Sequence, residues 1–138
     1  MRILAVDPGE KRIGIAISDP TGSIASPLTV LMHASRMMDA ASIADIARQN
    51  QVGLIVMGKA MDDDGLPTAQ SRRSDRLAAA IQQQCGIPLI AWDESFSTQV
   101  ARQAQIDMHA NRRRRSGHLD ELAATVILQS YLDTKVKD

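Results

Sequence analysis

Residues 12–18, RIGIAIS, put isoleucine at 13, 15 and 17 with Gly14 and Ala16 between them. A period of two sends successive side chains to opposite faces, so this segment reads as a strand with one isoleucine face and one face of small residues. A first strand, Arg2 to Val6, precedes it and ends on Asp7. Pro8-Gly9 then suits a turn, and Lys11-Arg12 open the second strand. Asp19-Pro20-Thr21-Gly22 is a second turn, leading to a hairpin partner near Ile24 to Val30. The chain thus opens with a three-strand meander.

From there strands and helices alternate. Ser35 to Gln49 reads as a helix capped by Ser35, its apolar positions at Met38, Ala41, Ile43, Ala44, Ile46 and Ala47. Gly53 to Met57 is a continuous apolar run, as in a buried parallel strand. A loop with Asp62, Asp63, Asp64 and Gly65 follows. A helix then runs from about Thr68 to Gln84 and stops at Gly86. Pro88 to Trp92 is a fifth strand ending on Asp93-Glu94, and Ser97 is placed to cap another helix. Residues 109–117 are polar and basic. The last helix spans about His118 to Leu132, with Leu119, Leu122, Ala123, Val126 and Ile127 on its apolar face and Gln129 and Ser130 off it. The order β-β-β-α-β-α-β-α-α implies an α/β fold, a mixed five-stranded sheet with helices on both faces.

A length of 138 residues fits one domain with its own core. With one Trp, one Tyr and one Phe, that core must be aliphatic. The apolar stretches are too short to span a bilayer, and the N-terminus resembles neither a signal nor a transit peptide. One cysteine, Cys85, excludes an internal disulfide and suits a cytoplasmic setting; it reads as a small residue at a helix end. The 16 basic and 16 acidic residues cancel, which excludes nucleic-acid binding by bulk charge alone. Their distribution is uneven. Arg112 to Arg115 form a solid block, Arg72, Arg73 and Arg76 a second cluster, and Lys11-Arg12 a third.

Three carboxylates stand where strands or helices end or begin: Asp7 after the first strand, Glu94 after the fifth, Asp120 at the start of the last helix. With strands one, four and five side by side, the first two become neighbours, and the last helix need only pack near that edge. Three gathered carboxylates repel unless a cation sits among them. Hard, oxygen-bound Mg²⁺ or Mn²⁺ answers that need. Two such ions about 4 Å apart activate a water and stabilise the leaving oxygen in phosphodiester hydrolysis.

These residues carry a family resemblance. Asp7-Pro8-Gly9, Lys11-Arg12, Gly14, Ala16 and Ser18-Asp19, then Asp93-Glu94 with Ser97-Thr98, then Asp120 with Ala123-Ala124, Ile127-Leu128-Gln129 and Tyr131-Leu132, fall in order on the pattern of the YqgF-type proteins. The chain resembles that family over nearly its whole length. The family is described as Holliday-junction resolvases and as nucleases of pre-16S rRNA processing. The resemblance implies an RNase H-like fold, catalytic metal ligands at Asp7, Glu94 and Asp120, partners in structured RNA, pre-16S rRNA or branched DNA, and no membrane partner. Two positions depart from the pattern. Gly58-Lys59-Ala60 replaces a Gly-Leu-Pro type sequence, and Ser95 follows the Asp-Glu pair where arginine is common.

Each of these residues also has a plainer reading. Asp7 alone is a turn-forming aspartate. Glu94 and Asp120 suit helix N-termini, with Asp93 and Glu121 as their local rivals. Lys11, Arg12 and the Arg112, Arg113, Arg114, Arg115 block are either phosphate contacts or solvated surface. His118 is a proton-transfer candidate or a surface histidine. Asp62 to Asp64 lack the rest of an EF-hand loop and read as a solvated acidic loop. Three functions compete: a metal-dependent endonuclease, a non-catalytic RNA-binding assembly factor on the same fold, and a nucleotide-binding phosphotransferase. The last needs two such domains around its nucleotide. A resolvase would need a two-fold homodimer, whereas an RNA-processing nuclease does not require one.

Overall fold

The computed structural model describes residues 1–61, 64–93 and 120–136, with Asp120, Glu121 and Val136 described by backbone alone. The order is β1 (Arg2–Pro8), β2 (Arg12–Ser18), β3 (Ala25–Met32), α1 (Arg36–Gln49), β4 (Val52–Lys59), α2 (Ala69–Gln84), β5 (Leu89–Asp93) and α3 (Asp120–Val136). The helix expected near Ser97 lies outside the described residues. The strands form one five-stranded sheet in the order β3-β2-β1-β4-β5. The meander is antiparallel, and β1, β4 and β5 run parallel. Strands one, four and five are therefore adjacent, as the sequence suggested.

The alternation along β2 divides the molecule. Ile13, Ile15 and Ile17 join Leu4, Val6, Ile55 and Met57 in a core beneath α1 and α2. The opposite face carries Ile3, Ala5, Ala16, Leu54 and Val56 and packs on Ala124, Ile127, Leu128, Tyr131 and Leu132 of α3. Both layers are aliphatic, as the scarcity of aromatics required. Trp92 and Tyr131 meet edge to face at 5.2 Å, and the indole N–H donates to Ser130 Oγ at 3.2 Å, which fixes α3 to the β5 edge.

A polar side chain ties α3 to the meander. Gln129 Oε1 accepts from Ala25 N at 2.9 Å, and Gln129 Nε2 donates to Ser23 O at 3.2 Å. Ala25 pairs with Ser18, whose Oγ accepts from Ile3 N at 2.8 Å. Leu122, Ala124, Ile127, Leu128, Tyr131 and Leu132 are buried, whereas Asp133, Thr134 and Lys135 are exposed.

Several local expectations need correction. Met38 is 62% exposed, and Asp39 and Ala40 take buried places in α1 instead. Asp39 accepts from Ala34 N at 3.1 Å and bonds His33 Nδ1, which makes a carboxylate tolerable there. Ser35 and Thr68 cap their helices, Thr68 through a reciprocal capping box with Ser71. α2 ends at Gln84, with an extended Cys85 as its cap, and Gly86 is not left-handed. Gln129 and Ser130, off the apolar stripe, are the polar ties of α3.

Gly9 shows the opposite economy of space. Its N–H donates to Arg12 O at 2.9 Å, and a Cβ there would lie 2.5 Å from that same backbone oxygen. Gly9→Ala is expected to cost about 1–3 kcal/mol. Gly86→Ala, where a Cβ would meet nothing within 4 Å, is expected to stay within about 0.5 kcal/mol of the parent or to stabilise it. Urea denaturation of the two variants checks the contrast. In the β2–β3 turn, the Thr21 hydroxyl and then the Ile24 and Ser23 amides hold the Asp19 carboxyl well below the usual carboxylate range. That stabilisation is present above the unfolded value of about 3.9 and is lost as pH falls through the folded one. Asp19→Asn should therefore show a shallower loss of melting temperature between pH 5 and pH 2.

Candidate active site

Asp7 lies in the central strand, half-buried, directly opposite Gly14 of β2. On the other side, Val6 pairs with Met57, which puts Gly58 of β4 level with Asp7. The alternation that turns Ile3 and Ala5 towards α3 assigns Asp7, Gly14 and Gly58 to the same face. A carboxylate near a strand end is thus flanked by two residues without side chains. Trp92 of β5 pairs with Gly58 and shares that face. Asp93, one residue on, alternates to the other face. It is therefore the poorer partner for Asp7 of the Asp93-Glu94 pair.

Asp120 is the first residue of α3, the helix that packs on the face to which Asp7 alternates. Asp7 and the helix that Asp120 begins thus belong to one face of the sheet. Glu94 lies outside the described residues, as do Arg112, Arg113, Arg114, Arg115 and His118. Among the described residues, no three His, Cys, Asp or Glu side chains gather as a metal-holding group. The donors the sequence supplies are all carboxylate oxygens, and the glycine flanks leave room beside Asp7. That combination fits a hard divalent cation.

Lys11 and Arg12 stand exposed at the β1–β2 turn. Arg12 is two residues from Gly14 and so falls on the Asp7 face of the sheet. Asp64 is exposed, while Asp62 and Asp63 lie outside the described residues. Gly58 is the position the sequence reading passed over. It was visible only as a departure next to Lys59-Ala60, because its relation to Asp7 depends on strand order and register.

The departures around Gly58 have structural partners. Lys59 alternates to the α2 face and pairs with Asp75 at 3.3 Å. Ser74 Oγ donates to Gly58 O at 2.9 Å. Ala60 N donates to Gln70 Oε1 at 2.9 Å, and Thr68 Oγ1 donates to Ala60 O at 2.7 Å. The start of α2 thus holds the β4 exit in place, and Lys59 belongs to that support. Ser95 lies outside the described residues.

Residues 1–134 match the family model described as "RuvX: Holliday junction resolvase". A protein of Syntrophus aciditrophicus (strain SB) named "Putative pre-16S rRNA nuclease" is 41% identical over 96% of this chain and 89% of its own. One of the same name from Thermoanaerobacter pseudethanolicus is 36% identical, covering 98% of each chain. Among solved structures, T. thermophilus RuvC in complex with a Holliday junction substrate matches with a TM-score of 0.65 at 10% identity, over 99% of this chain and 96% of that one. The Fowlpox virus resolvase with Holliday junction DNA matches at 0.62 and 16%, over 99% of each. At such identities these two likenesses speak for the fold, that of RNase H-like resolvases.

A double-mutant cycle on Lys59→Ala and Asp75→Ala should give a coupling of about 0.5–1 kcal/mol in chemical denaturation. Lys59→Ala should leave nucleic-acid affinity within about twofold of the parent, as a supporting role on the α2 face requires.

Proposed function

The chain belongs to the RuvX family, and on that premise we propose that it is a divalent-metal-dependent endonuclease that hydrolyses phosphodiester bonds in the 5′ region of pre-16S rRNA. It acts as one nuclease domain in the cytoplasm. Among the described residues no helix is long and apolar enough to cross a membrane. The observation that carries this reading is the setting of Asp7. It is the last but one residue of the central strand, opposite Gly14 and level with Gly58, on the sheet face that α3 covers.

In this reading Asp7, Glu94 and Asp120 hold Mg²⁺ or Mn²⁺, two ions in the full site. Bound there, the ions supply an activated water and stabilise the leaving oxygen. The chain's own contribution is rigidity and access. Asp7 is paired with Gly14 on one side and follows directly on the Val6–Met57 pair on the other, so its carboxylate needs little reorganisation to bind. Gly14 and Gly58 keep the sheet face beside it open to a phosphodiester. Arg12, on the same face, and Lys11 at the turn neutralise backbone phosphates, as does the Arg112, Arg113, Arg114, Arg115 block.

The experiment sets two labelled substrates, a 5′-extended 16S rRNA precursor fragment and a four-way DNA junction, against Mg²⁺, Mn²⁺ and EDTA. Metal-dependent cutting of the RNA is expected. Asp7→Asn should lower it by about 100-fold or more with an unchanged melting temperature. Undiminished cutting by that variant would remove Asp7 from the site. Symmetric cutting of the junction alone would make the enzyme a DNA resolvase and require a two-fold dimer.

A further inference from the structure

On the sheet face opposite Asp7 lies a cavity of about 530 Å³ between the β1–β2 turn and the first turns of α1 and α2. Pro8, Gly9 and Glu10 form one wall, Ile13 and Leu77 part of its floor. Arg36 at the start of α1 and Arg73 and Arg76 of α2 face it, with His33 and Asp39. Ala69, Arg73, Arg76 and Leu77 recur at helical spacing, so one face of α2 carries both the apolar floor and the guanidinium groups.

The charges there are unbalanced. Three arginines meet two carboxylates. Asp39 is 5% exposed and already engaged by His33 Nδ1 and Ala34 N. Glu10 pairs with Arg73 at 3.5 Å. Arg36 and Arg76 have no carboxylate partner among the described residues. Two cations without such a partner there face one concave, partly apolar space. Guanidinium forks match phosphate oxygens in shape and charge. The size suits one or two phosphate groups with the sugar or base attached to them.

We propose that this cleft is a second phosphate-binding site, in which Arg36 and Arg76 hold a backbone phosphate of the same nucleic-acid strand whose scissile bond lies at Asp7. The position favours a strand over a free nucleotide. Pro8, which lines the cleft, is the residue after Asp7, and the two side chains leave β1 on opposite faces. A strand passing over the end of β1 meets Asp7 on one side and the cleft on the other. The arginines thereby set the path of the strand and take no part in bond cleavage. This rests on the nuclease reading only for the nature of the strand.

The test measures binding in EDTA, in the Asp7→Asn background, so that failure to cut any substrate does not bear on it. The probes are a labelled single-stranded RNA of about 20 nucleotides and, separately, ATP and inorganic pyrophosphate. Arg36→Ala/Arg76→Ala should weaken RNA binding about tenfold at low salt and flatten the plot of log K against log salt by about 0.7, the share of one phosphate contact. Arg48→Ala, which removes a surface arginine paired with Asp45, should change neither. All variants should melt within about 2 °C of the parent. Unchanged RNA binding with lost ATP or pyrophosphate binding would give the cleft to a free phosphorylated ligand and overturn the strand path. An equal loss with Arg48→Ala would reduce the effect to bulk charge. No change with any probe would overturn the site altogether.

Discussion

A slip of one residue between β1 and its neighbours would turn Asp7 to the opposite face of the sheet and separate it from the helix that begins at Asp120. The register of the central strand is therefore the constraint on which the rest depends. It is secured from both sides. Leu4, Ala5 and Val6 are fully buried, with ladders to β2 and β4. Slippage would push Leu4 and Val6 into the α3 layer, where Ala5 and Ala16 now leave room for a close helix. The mismatch of volumes between the two faces makes one register much better than the next. Precision at the site is thus a by-product of core packing.

The same mismatch explains why the site is open. On the α1 and α2 face the isoleucines of β2 fill the space above the strands, and the core reaches nearly to the ends of the sheet. On the α3 face the β2 row is Gly14 and Ala16, and the β4 row ends at Gly58. Small residues here serve two needs at two heights. Ala16 lets α3 lie close to the sheet. Gly14 and Gly58, one level higher, are the residues of the two neighbouring strands that stand level with Asp7.

Much of this was legible in the residues, and the reasons for the remainder are physical. The period of RIGIAIS predicted both faces of β2, and the strand-end aspartate was evident beside Pro8-Gly9. Capping chemistry located Ser35, whereas the capping box of Thr68 and Ser71 emerged only in the structure. Met38 misled because periodicity ranks a residue by polarity, whereas Asp39 earns its buried place through bonds to a backbone N–H and His33 that no helical wheel displays. Gln129 was set aside as off the stripe, yet it reaches residues 104 and 106 positions away. The value of Gly58 and the gathering of Arg36 with Arg73 and Arg76 depend on tertiary neighbours, and no local pattern announces either.

The balance of charge also takes a different meaning in three dimensions. A chain with 16 basic and 16 acidic residues has no long-range pull on a polyanion. Many of its described acids are spent locally. Asp19 closes a turn, Asp39 supports a loop, Asp45 and Asp75 pair with Arg48 and Lys59, and Glu10 meets Arg73. Neutrality therefore arises from carboxylates committed to structure, while Arg36 and Arg76 face a cavity unpaired among the described residues. Affinity in such a protein comes from short-range contacts placed along a path. Binding should then depend on a few identifiable arginines more than on net charge, and discrimination between substrates on whether a strand can follow the bend at the end of β1.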